Sequence, residues 1–416
     1  MLHKESGCAL DKARLSNTAK RDSSPARGWA QVLLPSPGRR KARPGGADLL
    51  IGQHKTPQIG RLCANNLPCE AGMPFPWQAL RCPEPESLLS LLLSKDNHMT
   101  TRYLAERLNP GFGFFYTINH SIHKRQTDYQ LLEVVHTEEM GKVMLLDNIT
   151  QVAEKRDWLY HETMVHPALT AHPDPRSVAI IGAGDGGIAR EVLKHHPQEV
   201  VQAELDGQVV EVCREYFPEM SQGAFDDPRV RLEIGDGRKY LESTSDTFDT
   251  VIMDMTDPFG PSTMLYTKDF FQTVQGRLRD DNGIFVMHAE SPISRPRAYQ
   301  QILGTLGEVF TYTNVFYIYI QMYAVLWAVA VSSNRPLLGA LSSDEVANRL
   351  LQRHIEGLEV YSPQTHHSMQ VEFPYVARLR GAARDLPIIT DANPRFADEI
   401  DINRDLSELS ISSKAP

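Results

Sequence analysis

The feature that most constrains this chain is a regular alternation of strand-like and helix-like segments that begins after Pro175. Short apolar runs predict strands at 178–182, 200–205, 230–234, 250–255 and 284–288, and amphipathic runs predict helices at 187–195, 209–217, 268–278 and 299–309. This alternation is typical of a doubly wound, mostly parallel sheet with right-handed crossovers. Because ligands of such sheets bind beyond the carboxyl ends of the strands, we expect the chemistry to lie in the residues that end each strand.

Before this α/β domain, which we place at residues 171–382, the pattern changes to short alternating runs. They predict strands at 114–118, 131–135 and 143–146, followed by a helix at 157–169. We therefore assign residues 99–170 to a small antiparallel β domain with a connecting helix. Residues 383–416 are interpreted as a C-terminal tail.

Residues 1–98 have a different composition, rich in Pro, Gly, Arg and Ser and without sustained periodicity. Such a segment cannot bury enough apolar surface to offset the entropy lost on ordering it. We interpret it as a disordered extension, or as sequence translated from a start codon upstream of a native start near Met99. A basic arm that binds nucleic acid is the alternative, since the segment carries 14 Lys and Arg against 8 Asp and Glu.

The rest of the chain is acidic, with 29 Lys and Arg against 44 Asp and Glu, which favours a cationic ligand over nucleic acid. The five cysteines show neither zinc spacing nor a disulfide framework, and the first ten residues lack a signal-peptide pattern, so we expect a protein of the cytoplasm. The apolar stretch 315–331 is interpreted as two buried strands joined near Gln321 and Met322, not as a membrane span.

The first three strands of the α/β domain end in glycine and acidic residues. Asp185 lies in the turn Gly-Ala-Gly-Asp-Gly-Gly at 182–187, where its carboxylate would repel a pyrophosphate but attract an amine or a sulfonium. Glu204 follows Gly184 by 20 residues, the separation at which an acidic residue binds ribose hydroxyls in nucleotide-binding folds. Asp236 and Gly237 could meet an adenine amino group. The alternatives are that Asp185 only caps the next helix and that Asp236 only forms a tight turn.

The fourth strand ends in Asp254, and Asp257 follows three residues later in a loop that contains Pro258 and Pro261. Two carboxylates in a loop stiffened by prolines predict a fixed acidic site at the carboxyl edge of the sheet. The alternative is a solvated loop.

Together these residues resemble the spermidine synthase family of polyamine aminopropyltransferases. The similarity runs from about 129 to about 380, and its most specific parts are Gly-Asp-Gly-Gly at 184–187, Glu204-x-Asp206, Asp236-Gly237, Asp254-x-x-Asp257-Pro258-x-Gly260-Pro261, Tyr129-Gln130, Gln151-x-x-Glu154, Tyr160-His161-Glu162 and Glu290-Ser291-Pro292. The resemblance implies a methyltransferase-like Rossmann domain preceded by a small antiparallel β domain, and a homodimer or homotetramer. By the same resemblance the nucleoside of the donor is bound by Gln130, Glu204, Asp236, Gly237 and Pro261, and the aminopropyl and diamine channel is lined by Tyr160, His161, Asp185, Asp254 and Asp257, with Asp254 as proton acceptor.

Three departures from the family pattern fall on the acceptor side. An acidic position before the tyrosine has become basic in Lys155-Arg156, and a glutamine of the fifth strand is replaced by His288. The Pro-Thr-Tyr segment that usually covers the diamine corresponds to something like Tyr319-Ile320-Gln321. These changes leave open which polyamine is the acceptor.

The implied reaction is a displacement in which an amine attacks the methylene beside a sulfonium and methylthioadenosine leaves. It needs neither a metal nor a cofactor, because decarboxylated S-adenosylmethionine is a co-substrate. We expect putrescine as the acceptor, with cadaverine or spermidine as alternatives. A methyltransferase and a non-catalytic binding module are the rival functions; the small-molecule interpretation predicts neither a nucleic-acid nor a membrane partner.

Overall fold

The computed structural model describes residues 102–397; the predicted extension at 1–98 and the predicted tail beyond residue 397 lie outside them. The strands of this part are β1 (Arg102–Asn109), β2 (Phe112–Ile118), β3 (His120–Gln126), β4 (Leu131–Thr137), β5 (Gly141–Leu146), β6 (Ile149–Ala153), β7 (Ser177–Gly182), β8 (Glu199–Glu204), β9 (Val230–Ile234), β10 (Thr250–Asp254), β11 (Ile284–His288), β12 (Tyr312–Ile320) and β13 (Val325–Ser333).

The helices of the same part are α1 (Trp158–Ala171), α2 (Gly187–Leu193), α3 (Gly207–Tyr216), α4 (Pro218–Ser221), α5 (Gly237–Ser243), α6 (Lys268–Arg277), α7 (Pro296–Leu306), α8 (Ser343–Gln352), α9 (Pro363–Ser368) and α10 (Pro374–Gly381). Short 3-10 turns lie at Ala224–Asp226, Gly260–Leu265, Gln321–Tyr323 and Ala383–Asp385. None of the helices at 102–397 is both long and apolar enough to cross a membrane.

The large sheet has seven strands in the order β12-β13-β11-β10-β7-β8-β9. The five strands from β11 to β9 run parallel, and β13 and β12 join antiparallel at one edge. The chain order reverses at β7, which has β8 on one side and β10 on the other. Because a crevice opens at such a switch point, the turn after β7 and the ends of β8 and β10 are where a ligand is expected.

The N-terminal β domain consists of the hairpin β1-β2 and a four-stranded antiparallel sheet in the order β3-β4-β5-β6. The α/β fold and the preceding antiparallel domain predicted from sequence are therefore confirmed. Strands β1, β3 and β6 were not predicted. β3 reads HSIHKRQ and is mostly exposed, so it lacks the apolar alternation that marks a half-buried strand.

The predicted strand pair at 315–331 is confirmed as β12 and β13, which pair along their full length around the turn Gln321–Tyr323. Val315 packs in one apolar cluster, and Phe316, Val329 and Val331 pack in another on the opposite face of the sheet. The stretch is apolar because both faces of this strand pair are covered.

Helix α1 lies at the centre of the molecule and is buried from Tyr160 to Ala171. It belongs to one apolar cluster that includes side chains of both the small β domain and the large sheet. The Glu162 carboxylate also accepts the backbone N–H groups of Glu359, Val360 and Tyr361 at 2.8 to 2.9 Å, which attaches the C-terminal region to α1. Tyr160 and His161 therefore project from a helix that is fixed on all sides.

Candidate active site

The turn after β7 lies directly against the end of β10. Gly182 has φ +87°, and a Cβ built on it would be 1.8 Å from the carbonyl oxygen of Asp254, so only glycine fits. The N–H of Ala183 donates to that same carbonyl at 2.9 Å. This close approach brings the glycine-rich turn and Asp254 to one place at the carboxyl edge of the sheet.

Asp185 is buried in this turn and serves two purposes. Its Oδ1 accepts the backbone N–H of Gly187, the first residue of α2, at 2.7 Å, although the N-cap position itself is occupied by Gly186. Its Oδ2 lies 3.1 Å from Nε2 of His161. A Cβ on Gly187 would be 2.3 Å from Cε1 of the same imidazole, so glycine at the start of α2 is what lets His161 pack there.

His161 belongs to a buried charge network behind the site. Its Nδ1 lies 3.1 Å from Asp157, and Asp157 in turn accepts Nη2 of Arg190 at 2.9 Å. Arg190 also pairs with Glu191 at 2.7 Å. Burial alone would lower the pKa of His161, but the carboxylates of Asp185 and Asp157 outweigh it and raise the pKa to about 10. The imidazole is therefore a cation at neutral pH and compensates the charge of Asp185.

Tyr160 and Asp254 are joined by a short hydrogen bond. The Tyr160 hydroxyl donates to Oδ1 of Asp254 at 2.6 Å. Burial and the nearby charge of Asp185 raise the pKa of Asp254 from 3.8 to about 7, although the Tyr160 hydrogen bond and His161 act in the opposite direction. A carboxylate with such a pKa can both accept and release a proton near neutral pH.

Glu204, Asp206 and Gln130 lie on the other side of the switch point. Oε1 of Glu204 accepts the backbone N–H of Asp206 at 2.9 Å, and Gln130 Nε2 donates to Oδ2 of Asp206 at 3.3 Å. Burial raises the pKa of Glu204 to about 7. A Cβ on Gly184 would lie 3.1 Å from Oε2 of Glu204, so the glycine turn and this carboxylate face each other.

The remaining predicted donor residues lie further along the same edge. Asp236 caps helix α5, since its Oδ1 accepts the N–H groups of Arg238 and Lys239 at 3.0 and 3.2 Å. Gly235 donates to the Glu204 carbonyl at 2.8 Å, which places Asp236 and Gly237 beside the end of β8. Pro261 is exposed in the 3-10 turn after β10.

Asp257 lies in the loop after β10 and is half-buried. It forms a group with His288 and Glu290 whose potential ligand atoms are all within 4.8 Å of one another. Arg295 pairs with Glu290 at 2.8 Å and lies over the Phe259 ring. Three acceptors at this spacing could surround a cation, and an ammonium group offers three hydrogens to such a set.

His288 replaces the family glutamine and is neutral, because burial lowers its pKa. Its Nε2 lies 3.0 Å from both the Met255 carbonyl and the Tyr266 hydroxyl. If Nε2 carries the proton, which the Met255 carbonyl favours, Nδ1 is left as an acceptor. Nδ1 is buried and has no hydrogen-bond partner among residues 102–397.

Tyr323 is a site residue that the sequence did not predict. Its ring meets the edge of Tyr160 at 6.2 Å and lies 5.1 Å from Trp327. Burial and the charges of Asp254 and Asp257 raise the pKa of the Tyr323 hydroxyl well above its ordinary value, so this hydroxyl stays neutral. The segment Tyr319-Ile320-Gln321, which the resemblance relates to the diamine cover, ends β12 and begins the turn Gln321–Tyr323, and Tyr323 follows it by two residues. Tyr319 itself is 58% exposed.

The sheet order and the carboxylates that end its strands define a class: this is a methyltransferase-like α/β transferase whose site suits a cationic substrate. Comparison with known proteins then gives the family. The model of the spermine/spermidine synthase domain matches residues 157–338, and that of the spermidine synthase tetramerisation domain matches residues 103–154. The chain belongs to the spermine and spermidine synthase family of aminopropyltransferases.

Individual relatives agree with this assignment. The polyamine aminopropyltransferase of Nitrosomonas europaea is 37% identical over 68% of this chain and 86% of its own length. Polyamine aminopropyltransferase 1 of Hyperthermus butylicus is 38% identical over 63% of this chain and 93% of its own length. Spermidine synthase from Thermotoga maritima superposes with a TM-score of 0.62 at 30% identity, covering 67% of this chain and 94% of that one. A spermidine synthase in complex with the transition-state analogue AdoDATO superposes with a TM-score of 0.61 at 28% identity, with the same coverage.

Proposed function

We propose that this aminopropyltransferase moves the aminopropyl group of decarboxylated S-adenosylmethionine onto putrescine and releases methylthioadenosine. The observation that carries the proposal is the pair Tyr160–Asp254, joined at 2.6 Å, beside the buried carboxylate of Asp185. This pair lies at the switch point, where donor and acceptor can both reach it.

The acceptor must lose a proton before it can attack. A diamine has lysine-like pKa values of about 10, and an ammonium has no lone pair. We assign the proton acceptor to Asp254, whose pKa of about 7 keeps a large fraction ionised at neutral pH. Tyr160 orients that carboxylate, and Asp257 and Asp185 hold the positive charges of the substrates. The protein also gains from holding the amine in line with the sulfonium.

We propose that residues around β8 and β9 bind the nucleoside of the donor. Glu204 binds the ribose hydroxyls, Gln130 supports this corner through Asp206, and Asp236 with Gly237 meets the adenine. Pro261 closes over the nucleoside from the loop after β10. His161, held between Asp157 and Asp185, fixes the Asp185 carboxylate beside the aminopropyl chain.

The acidic site also argues against a methyltransferase. Ordinary S-adenosylmethionine would bring its own carboxylate close to Asp185 and Asp254. Two like charges at about 4 Å repel by about 4 kcal/mol at an effective dielectric constant of 20. The site therefore favours the decarboxylated donor by at least about a hundredfold.

We propose further that the protein works as a homodimer or homotetramer in the cytoplasm, without a metal or cofactor and without nucleic-acid or membrane partners. The match of residues 103–154 to a tetramerisation domain supports the assembly, and the cysteine pattern supports the compartment.

A product assay with decarboxylated donor against putrescine, cadaverine and spermidine tests the proposal. We expect the highest kcat/KM with putrescine and an equal yield of methylthioadenosine. A preference for cadaverine or spermidine would reassign the acceptor, and transfer of a methyl group from S-adenosylmethionine would replace the proposed reaction.

A further inference from the structure

Three polar side chains near the acceptor side form a closed triangle of hydrogen bonds. Nη1 of Arg156 donates to the Gln321 side-chain oxygen and also to Oε1 of Glu139, the latter at 3.1 Å. Nε2 of Gln321 donates to the same Oε1 of Glu139 at 3.0 Å. We call this triangle of Arg156, Gln321 and Glu139 the latch.

The latch joins three segments that are far apart in sequence. Glu139 lies in the turn between β4 and β5, and Arg156 precedes α1 with a positive φ of 68°. Gln321 is the first residue of the 3-10 turn that connects β12 to β13. The small β domain and the entry to α1 therefore hold the tip of the last hairpin of the large sheet.

That hairpin tip carries an aromatic wall of the acceptor side. Tyr323 lies two residues after Gln321, and its ring contacts Tyr160, which donates to Asp254. Its hydroxyl donates to the Gln151 carbonyl at 3.3 Å. A shift of the tip would move the Tyr323 ring relative to the carboxylate that receives the proton.

The wall continues from the hairpin tip to the fifth strand. Trp327 lies 5.1 Å from Tyr323 and stacks on His288 with ring centroids 5.4 Å apart and an interplanar angle of 27°. His288 belongs to the group with Asp257 and Glu290 that could surround a cation. The ring contacts of the hairpin thus run from Tyr160, which donates to Asp254, to His288 in the group that contains Asp257.

The tip is held by the buried Met322 and by the bond from Tyr323 to Gln151. The turn closes through a backbone bond from Ala324 N–H to the Gln321 carbonyl at 3.0 Å, with Ala324 at a positive φ of 53°. The Gln321 side chain adds the latch as a further attachment. Both ionic members are well exposed, with 42% of the Arg156 side chain and 67% of the Glu139 side chain accessible. Removing an exposed pair of this kind costs little folding free energy, so variants of the latch should remain folded.

We propose that the latch positions Tyr323 and thereby determines which length of diamine the site accepts. Arg156 and Gln321 are positioning residues for the acceptor, because they act through the hairpin tip. The inference rests on the proposed function for its substrate class, but the latch itself is defined by contacts alone.

The test compares Arg156→Ala and Gln321→Ala with the wild type, using putrescine and cadaverine as acceptors. We expect the KM for putrescine to rise about two- to fivefold in each variant, as loss of one exposed polar contact suggests. The ratio of kcat/KM for cadaverine to that for putrescine should rise about threefold or more. The KM for the donor should not change. Because both residues act through one contact, the double variant should be no worse than either single one.

Lys155→Ala is the matched control. Lys155 lies next to Arg156 and carries the same charge, but its Nζ donates to the Glu138 carbonyl at 2.9 Å and does not belong to the latch. Lys155→Ala should leave the KM and kcat/KM for putrescine and cadaverine unchanged. Arg156→Lys should have a putrescine KM between those of the wild type and Arg156→Ala.

Two results would overturn the inference: an unchanged acceptor ratio in both latch variants, or an equal rise of donor and acceptor KM. Calorimetry with putrescine and methylthioadenosine separates this failure from that of the proposed function. Weaker putrescine binding by Arg156→Ala supports the latch even if no aminopropyl group is transferred, and a wild-type protein that binds no diamine overturns both proposals.

Discussion

At the residue scale, the account depends most on Asp254. Since its pKa is raised to about 7 by burial and by Asp185, kcat at saturating donor should rise with pH through an inflection near 7. Asp254→Asn should remove this inflection and lower kcat by about 10² to 10⁴, the usual contribution of a general base, while donor binding remains. Glu204→Gln is the control, because Glu204 also has a pKa of about 7 but lies on the donor side. If it removed the inflection in kcat and Asp254→Asn did not, the assignment of the base would be wrong.

Because the pKa of Asp254 is raised in the folded protein, ionisation of this carboxyl should destabilise the fold. The pKa of Asp254 is 3.8 in its ordinary state and about 7 when folded, so between these values the unfolded chain releases the proton while the folded protein keeps it. The stability that the protonated group contributes is present below pH 4 and is lost as the pH rises through 7. One pKa unit corresponds to about 1.4 kcal/mol, and partial exposure of the group reduces the total to about 2 kcal/mol.

Asp254→Asn keeps an acceptor for the Tyr160 hydroxyl and removes the charge. We therefore expect the variant to be more stable than the wild type by about 2 kcal/mol at pH 8 and equal to it near pH 4. Urea unfolding at the two pH values measures the difference. A variant that is less stable at pH 8 would contradict the raised pKa.

The residue scale also shows what a sequence can reveal about a site. Asp185, Glu204 and Asp254 were predictable because each lies at the end of a strand or in the turn directly after it, and parallel strands bring their carboxyl ends to one edge. Tyr323 was missed although the turn near Gln321 and Met322 was predicted, because its contact with Tyr160 joins residues that are far apart in sequence. The contacts of Arg156 were equally hidden, since its partners Glu139 and Gln321 are distant in sequence.

At the element scale, the start of α2 is a tightly packed junction of the site. A Cβ at Gly187 would lie 2.3 Å from the His161 ring. Gly187→Ala should displace the imidazole from Asp185 and lower kcat/KM by about tenfold or more, with a loss of stability of about 1–3 kcal/mol from overpacking.

Gly276→Ala makes the same chemical change in helix α6, where a Cβ would meet nothing within 4 Å. This control should keep full activity and gain up to about 1 kcal/mol, because alanine is the better helix former. Steady-state kinetics and thermal unfolding measure the activity and stability of the two variants. If Gly187→Ala were as active and as stable as Gly276→Ala, the position of the His161 ring would not matter for activity.

Element prediction succeeded where burial leaves a pattern. Three of the parallel strands, β7, β10 and β11, are buried almost throughout and read as apolar runs, so their positions were predictable. The edge strand β9 is only partly buried, but its alternating sequence VRLEI also marks a strand. Strands β1 and β3 are largely solvent-facing or partly polar, and their pairing is decided by neighbours in space. Helices α8 to α10 were missed for a related reason: α8 has only Val346 fully buried, and α9 has only His366.

At the scale of the whole molecule, the hairpin β1-β2 exposes apolar side chains. Phe115 is 59% exposed and meets Tyr103, itself 44% exposed, edge-on at 5.9 Å. Both lie in the region that matches the tetramerisation domain. We predict that Phe115→Glu reduces the molecular mass in solution, because a charge in an apolar interface is costly.

Tyr319→Glu is the control for this experiment, since Tyr319 is 58% exposed but lies outside residues 103–154. Light scattering after size-exclusion chromatography measures the mass of both variants. A native mass for Phe115→Glu would show that this face of the hairpin is not part of the assembly.

The central claim is that the strand-end carboxylates carry out aminopropyl transfer. The most direct test is mass spectrometry of the products formed by the wild-type protein from putrescine and a donor labelled with ¹³C in its aminopropyl group. We predict that the label appears in spermidine in a one-to-one ratio with methylthioadenosine, and that Asp254→Asn forms this product at least about a hundredfold more slowly. A labelled donor that stays intact, or an Asp254→Asn variant with wild-type turnover, would contradict the account.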